Sequence, residues 1–206
     1  MVRPIEPGDK EALASGFARL SAESRYRRFF APLSELNTTD LRYLTEVDHS
    51  NHEALIAFRP DNGVAIAVAR YVRSDDPTVA EVAVTVADDW HGRGVATKLL
   101  ELLVVRARQE GIECFLALVL SENEAALELF KALSHGEAEP KRSESGHLEL
   151  MIELPSGESI SDSQIGRALR SAASAEIEMN PWRLLKRRVH DTFEHPRPSE
   201  ERPDSE

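Results

Sequence analysis

Apolar positions recur every three to four residues in some stretches of the chain and every second residue in others, and the change of period divides it into elements. VRPI near the start reads as a short edge strand that Pro7, Gly8 and Asp9 end. KEALASGFARLSAES (10–24) then places Leu13, Phe17 and Leu20 at helical spacing. NTTDLRYLTEV (37–47) predicts a second helix with Asn37, Thr38 or Thr39 as its N-cap. EALIAF, VAIAVARYV and VAEVAVTVA follow as three strands, and PDNG and SDDPT mark the turns between them. Residues 53–87 therefore read as an antiparallel meander, with Asn62-Gly63 favouring a tight hairpin.

The period changes at WHGRGVATKLL (90–100). Val95, Leu99, Leu102 and Leu103 share a helical face, and Gly111 is a natural stop. CFLALVL is a wholly apolar strand. SENEAALELFKAL is a helix, with Ser121 and Glu124 in capping-box spacing. GHLELMIEL alternates like a half-buried strand. Composition shifts after Pro155: residues 155–194 form an extension with helical stretches near 163–177 and 181–193, and the Pro/Glu/Ser-rich residues 195–206 read as a disordered tail. The basic, amphipathic WRLLKRRVH in the extension is expected to dock on its own domain or on a second subunit, which makes a homodimer one of the expected partnerships.

Composition narrows the function. The chain has 206 residues, 41% hydrophobic and 30% charged, with a net charge of −11. So acidic a chain is not expected to bind nucleic acid, but it can attract a basic acceptor. The single cysteine, Cys114, excludes an internal disulfide and reads as a buried strand residue. No apolar run reaches the roughly 20 residues of a membrane span, and the first residues lack a secretory pattern. The expected location is the cytoplasm.

A strand, a glycine-rich turn and a helix start form an anion site. First-turn N–H groups have no helical partner, and glycine lets a phosphate approach the backbone. The turn lacks the Gly-Lys-Ser/Thr ending of a P-loop, and GRGVAT fails the dinucleotide fingerprint. HGRGVA instead resembles the coenzyme A signature of the GNAT superfamily of N-acetyltransferases. The flanking AEVAVTV, VATKLLELLVVRARQEG, CFLALVL and SENEAALELFKAL resemble that family's consecutive elements, so the resemblance covers about residues 1–154. It implies an α/β acyl-CoA N-acyltransferase fold: a mixed, mostly antiparallel sheet with helices on both faces. LSAESRYRRFFAPLSELNTTDLRYLTEVDHSNHEALIAF is similar to the corresponding part of bacterial protein lysine acetyltransferases.

The resemblance implies site residues. Acetyl-CoA, the expected cosubstrate, would pair with the backbone of Val84, Thr85 and Val86. Its pyrophosphate would lie on Gly92, Arg93, Gly94, Val95, Ala96 and Thr97, and Asn123 would contact it from the next helix. Glu81 would be the general base that takes the proton from an amine acceptor, a role suited to a carboxyl of raised pKa. The sequence departs from the family at His91, where Gln or Arg is usual, and at Phe130, where many members carry a tyrosine that protonates the leaving thiolate. The preferred acceptor is a protein lysine. A small amine is the alternative, expected if the N-terminal helices line a pocket, and a low-turnover acetyl-CoA-binding regulatory module is a third reading.

His49 and His52 with Asp48 and Glu53 lack the helical spacing of a metal site, so no metal is expected. Asp75, Asp76, Asp88 and Asp89 read as solvated turn residues that could draw in a lysine. Arg25, Arg27 and Arg28 read as an exposed basic helix end beside buried Phe29 and Phe30, with a phosphate contact as the other reading.

Overall fold

The computed structural model describes residues 1–29, 31–134, 138–142 and 147–155. The C-terminal extension from residue 156, the tail and Phe30 lie outside the described residues. Seven strands form one sheet: β1 (Val2–Pro4), β2 (His52–Phe58), β3 (Ala65–Arg73), β4 (Val79–Val86), β5 (Cys114–Val119), β6 (Lys141–Arg142) and β7 (Leu148–Glu153). Their order is β1-β2-β3-β4-β5-β7-β6, and only the β4–β5 pair is parallel. The five α-helices are α1 (Lys10–Arg19), α2 (Ala22–Phe29), α3 (Thr38–Thr45), α4 (Val95–Gln109) and α5 (Glu124–Leu133).

Strand alternation sorts the packing. Val82, Val84 and Val86 join Leu99, Leu103 and Leu129 in the main core, on the face that α4 and α5 cover. Ile56 and Val68 face the other way, against Ala12 and Leu13 of α1. α4 supplies the crossover that a parallel β4–β5 pair requires, and its Leu99, Leu100, Leu103 and Val104 are fully buried. It ends where expected: Gly111 has φ +77° beyond the last turn.

Three expectations about elements change. The helix expected over 10–24 is two helices, because Leu20 turns extended (φ −66°, ψ 142°) and buries its side chain with Phe17 and Phe29. Helical periodicity survives such a break when both segments face the same core. α5 is capped by Asn123, not Ser121: Asn123 Oδ1 accepts from Ala126 N at 3.1 Å. The β2–β3 connection is longer than a two-residue hairpin, with Arg59 N donating to Val64 O and Gly63 at φ +67°. Elsewhere the caps agree, and Asn37 forms a reciprocal capping box with Asp40 at the start of α3.

Candidate active site

The sheet splits at its centre. β4 and β5 pair only over residues 79–82 and 114–117. Beyond that point β4 stays with β3 as far as Val86, and β5 stays with β7 as far as Val119. Peptide groups alternate in direction along a strand. Ala87 N donates to Ile66 O on the β3 side at 2.7 Å, so Thr85 also turns its peptide towards β3. Val84 and Val86 turn theirs into the split. Of the three backbone positions assigned to the cosubstrate, these two are aimed at the gap, and Thr85 can contribute only through its side chain.

The same alternation places Glu81, Ala83 and Thr85 on the face away from α4. Glu81 lies half-buried between Val72 of β3 and Leu116 of β5, at the last stretch where β4 still has both neighbours. A base at this position borders the split without entering the α4 core.

Directly after β4 comes the glycine turn. Gly92 and Gly94 adopt φ +68° and +74°, a region that side-chain-bearing residues avoid. Gly94 is the N-cap of α4, has no side-chain cap bond, and is followed by a first turn without acidic residues. Nothing lies within 4 Å of the position a Cβ would take on Gly94. An open, uncapped, acid-free helix start of 15 residues suits a pyrophosphate. Ala96 and Thr97 are buried and Val95 packs against the core, so these three would act through main-chain N–H groups. Arg93 stacks on Trp90, its guanidinium carbon 4.8 Å from the ring centroid, and Arg59 lies 5.7 Å from the same ring.

His91 has a specific role. Its Nε2 lies 2.9 Å from Val86 O. A carbonyl only accepts, so Nε2 carries the hydrogen. The residue that departs from the family pattern thus braces the strand end that feeds the split. Asn123 is buried, and its Oδ1 is engaged in capping α5. Phe130 is fully buried in the main core.

The remaining groups resolve into structure. Asp48 accepts from the N–H groups of Ser50, Asn51 and His52. His49 Nδ1 lies 2.7 Å from Glu53 Oε1, and Arg106 on α4 pairs with the other oxygen of this fully buried carboxylate. No cluster of metal-ligating residues occurs among the described residues. Arg25 donates to the main-chain carbonyls of Ala18, Leu20 and Ser34. Arg28 corrects the expected exposed helix end, because it is 4% exposed and faces inward. Cys114 is half-buried rather than buried, and burial with nearby Glu153 and Glu113 pushes its thiol up. Asp88 is exposed, as expected of a turn residue, and also accepts from Ser21 N at 2.7 Å and from the Ser24 hydroxyl, holding the start of α2. No turn signal in the sequence could reveal that long-range contact.

Between α1, α2, α3 and the sheet lies a small, partly open cavity of about 60 Å³. Phe17, Leu36 and Leu44 give it an apolar lining, Arg28 and Arg70 bring positive charge, and Thr85 supplies its β4 wall.

Residues 20–134 match the Acetyltransferase (GNAT) family. The chain belongs to it. It is 38% identical over 133 residues to the acetyltransferase Pat of Mycolicibacterium smegmatis, covering 64% of this chain and 40% of Pat. The chain thus spans well under half the length of that relative. The GNAT domain of S. lividans PAT superposes with a TM-score of 0.68 at 37% identity, covering 74% of this chain and 89% of that one. The fold alone is shared with yncA, a putative acetyltransferase from Salmonella typhimurium determined with its cofactor acetyl-CoA (TM-score 0.59, 20% identity, covering 79% and 98%). GNAT acetyltransferases use acetyl-CoA, the cosubstrate expected from the glycine turn. Among the described residues no helix is long and apolar enough to cross a membrane.

Proposed function

We propose that the protein transfers the acetyl group of acetyl-CoA directly to an amine, with Glu81 as general base. The observation that carries this reading is the split beside Glu81. Two peptide groups, of Val84 and Val86, face a gap that opens onto an uncapped helix start, while a carboxylate lies on the neighbouring face. Gly92 to Thr97 hold the pyrophosphate, and Asn123 borders the cosubstrate from α5. An N–H in the split stabilises the negative charge that develops on the thioester oxygen. The amine nitrogen attacks the carbonyl carbon, its proton passes to Glu81, and the carbon–sulfur bond breaks. Water or the acceptor protonates the thiolate, since Phe130 has no proton to give. Holding both substrates in line supplies much of the rate.

Two acceptors have support of different kinds. The resemblance of the segment from Leu20 to Phe58 to protein lysine acetyltransferases supports a protein lysine. The cavity lined by α1, α2 and α3 supports a small amine, because such helices would close off a site that a protein lysine needs open. The cytoplasm, where acetyl-CoA and amines meet, is the location that goes with either, and a homodimer is the assembly that a docked C-terminal extension would give.

The test is thiol release from acetyl-CoA with small amines and with lysine-containing proteins as acceptors. Acceptor-dependent release in wild type that collapses in Glu81→Gln, with acetyl-CoA still bound, is expected. Release unchanged in Glu81→Gln would remove Glu81 from the role.

A further inference from the structure

We propose that the cavity under α1–α3 is the pocket of a small acceptor amine that carries a carboxylate on an apolar body, and that Arg70 is the residue that meets the carboxylate. The inference rests on the acetyl-transfer reading and takes its small-amine branch further.

Arg70 is among the largest side chains of the described residues that are essentially without solvent contact, at 1% exposure. Its Nη2 donates to Leu44 O at 3.2 Å and its Nη1 lies 3.0 Å from His52 Nε2. Its Nε has no hydrogen-bond partner, and no carboxylate among the described residues pairs with it. Buried charges are ordinarily paired, because an isolated ion away from water is costly. Here burial alone lowers the guanidinium to about 10, with only Tyr43 acting against it. A cation held so far from water without an acid is suited to a ligand that brings one.

The surroundings place that acid on the substrate. Arg70 lines the cavity, together with Arg28 as a second buried cation. It stands opposite Ala83 on β4, two residues from Glu81 on the same face. Diagonal neighbours on a sheet are about 7–8 Å apart, so a carboxylate at Arg70 and an amine turned towards Glu81 fit one small molecule. Phe17, Leu36 and Leu44 receive its apolar part. On β4 itself, Thr85 lines the same space and carries a buried hydroxyl with no hydrogen-bond partner among the described residues. A purely structural arginine explains the bonds to Leu44 and His52 but not a buried Nε left without a partner on a residue that lines an apolar cavity.

The experiment compares apolar amino acids with their carboxamides, which keep the shape and the amine and remove the charge. Wild-type full-length protein should acetylate the acids with kcat/KM at least about tenfold above the amides, a modest share of what a charge-assisted hydrogen bond contributes. Arg70→Gln should raise KM for the acids by a similar factor and leave KM for the amides unmoved, while Arg70→Lys keeps part of the preference. A fall in kcat on acids and amides alike would mark Arg70 as structural and overturn the assignment. So would equal use of acids and amides by the wild type, which tests the idea even if the variants do not fold. If lysine-containing protein is acetylated and neither acids nor amides are, the cavity assignment fails and acetyl transfer stands. If acetyl-CoA binds but nothing is acetylated, titration of the same pairs decides: acid-selective binding kept in part by Arg70→Lys and lost in Arg70→Gln upholds the pocket without the reaction, and binding of neither sinks it.

Discussion

The main-chain N–H of Ser21 donates to Asp88 Oδ2 at 2.7 Å, joining residues 67 positions apart. The Ser24 hydroxyl donates to the other carboxylate oxygen. One side chain from the residues between β4 and the glycine turn therefore holds the N-terminus of α2, the helix that supplies Arg28 and Phe29 to the cavity. The cavity under α1–α3 and the segment leading to the glycine turn share a strut.

Removing that strut should loosen α2. Asp88→Ala withdraws both acceptors, and the net loss of such a hydrogen bond costs about 1 kcal/mol. Urea unfolding should show a midpoint shift of that size with an unchanged slope. An unshifted midpoint would mean that water replaces the carboxylate without loss.

Glu81→Gln keeps size and polarity and removes the proposed base. General-base catalysis contributes on the order of 10²–10⁴-fold, so kcat should fall within that range. Acetyl-CoA affinity, read by calorimetry, should stay the same, because Glu81 lies outside the glycine turn. A matching loss of affinity would point to misplacement of β4 instead.

Gly94→Ala tests conformation without crowding. No atom lies within 4 Å of the added methyl, but φ is +74°. A left-handed residue other than glycine costs roughly 1–2 kcal/mol, so thermal stability should fall by about that amount. If the turn flattens to relieve the strain, acetyl-CoA binding weakens too. Unaltered stability would show that the turn tolerates alanine as it stands.

Asp9 supplies the pH-dependent contribution. Two hydrogen bonds from Arg3, at 2.8 and 2.6 Å, and one from Glu6 N hold its carboxyl below the ordinary 3.8. The unfolded chain binds the proton more readily, so this stability is complete above pH 3.8 and is lost as pH falls through the lower, folded value. Asp9→Asn should lose about 1–2 kcal/mol at pH 7 and make the acid unfolding curve shallower. Equal acid sensitivity in both proteins would assign the transition to other carboxylates.

The elements that the sequence shows best are those whose period matches a single environment. The meander of β2, β3 and β4 and the face of α4 follow from Val, Ala and Leu spacing, and Gly92 and Gly94 mark the turn before α4 because nothing but glycine is comfortable at their φ. The break at Leu20 escaped the reading, since Phe17, Leu20 and Phe29 point into one cluster from two helices. Arg70 escaped it for another reason. It sits in AIAVARYV, where an alternating charge looks like the solvent side of a strand, and only the packing of α3 over that side turns it inward. Asp88 escaped because its partners come from a distant segment. Residues set by local period were legible, and residues set by what packs across them were not.

The split between β4 and β5 leaves main-chain groups without a neighbouring strand within the middle of a sheet, where other folds leave them so only at edges. A bound pantetheine arm would occupy the place of a missing strand, so the fold is finished by its own reactant. Any ligand that favours only the folded chain raises its stability by RT ln(1 + [L]/Kd). Acetyl-CoA should therefore lift the melting temperature in step with its concentration and slow hydrogen exchange at the Val84 and Val86 amides more than elsewhere in β4. The completed sheet would report on cosubstrate binding before any acceptor is known.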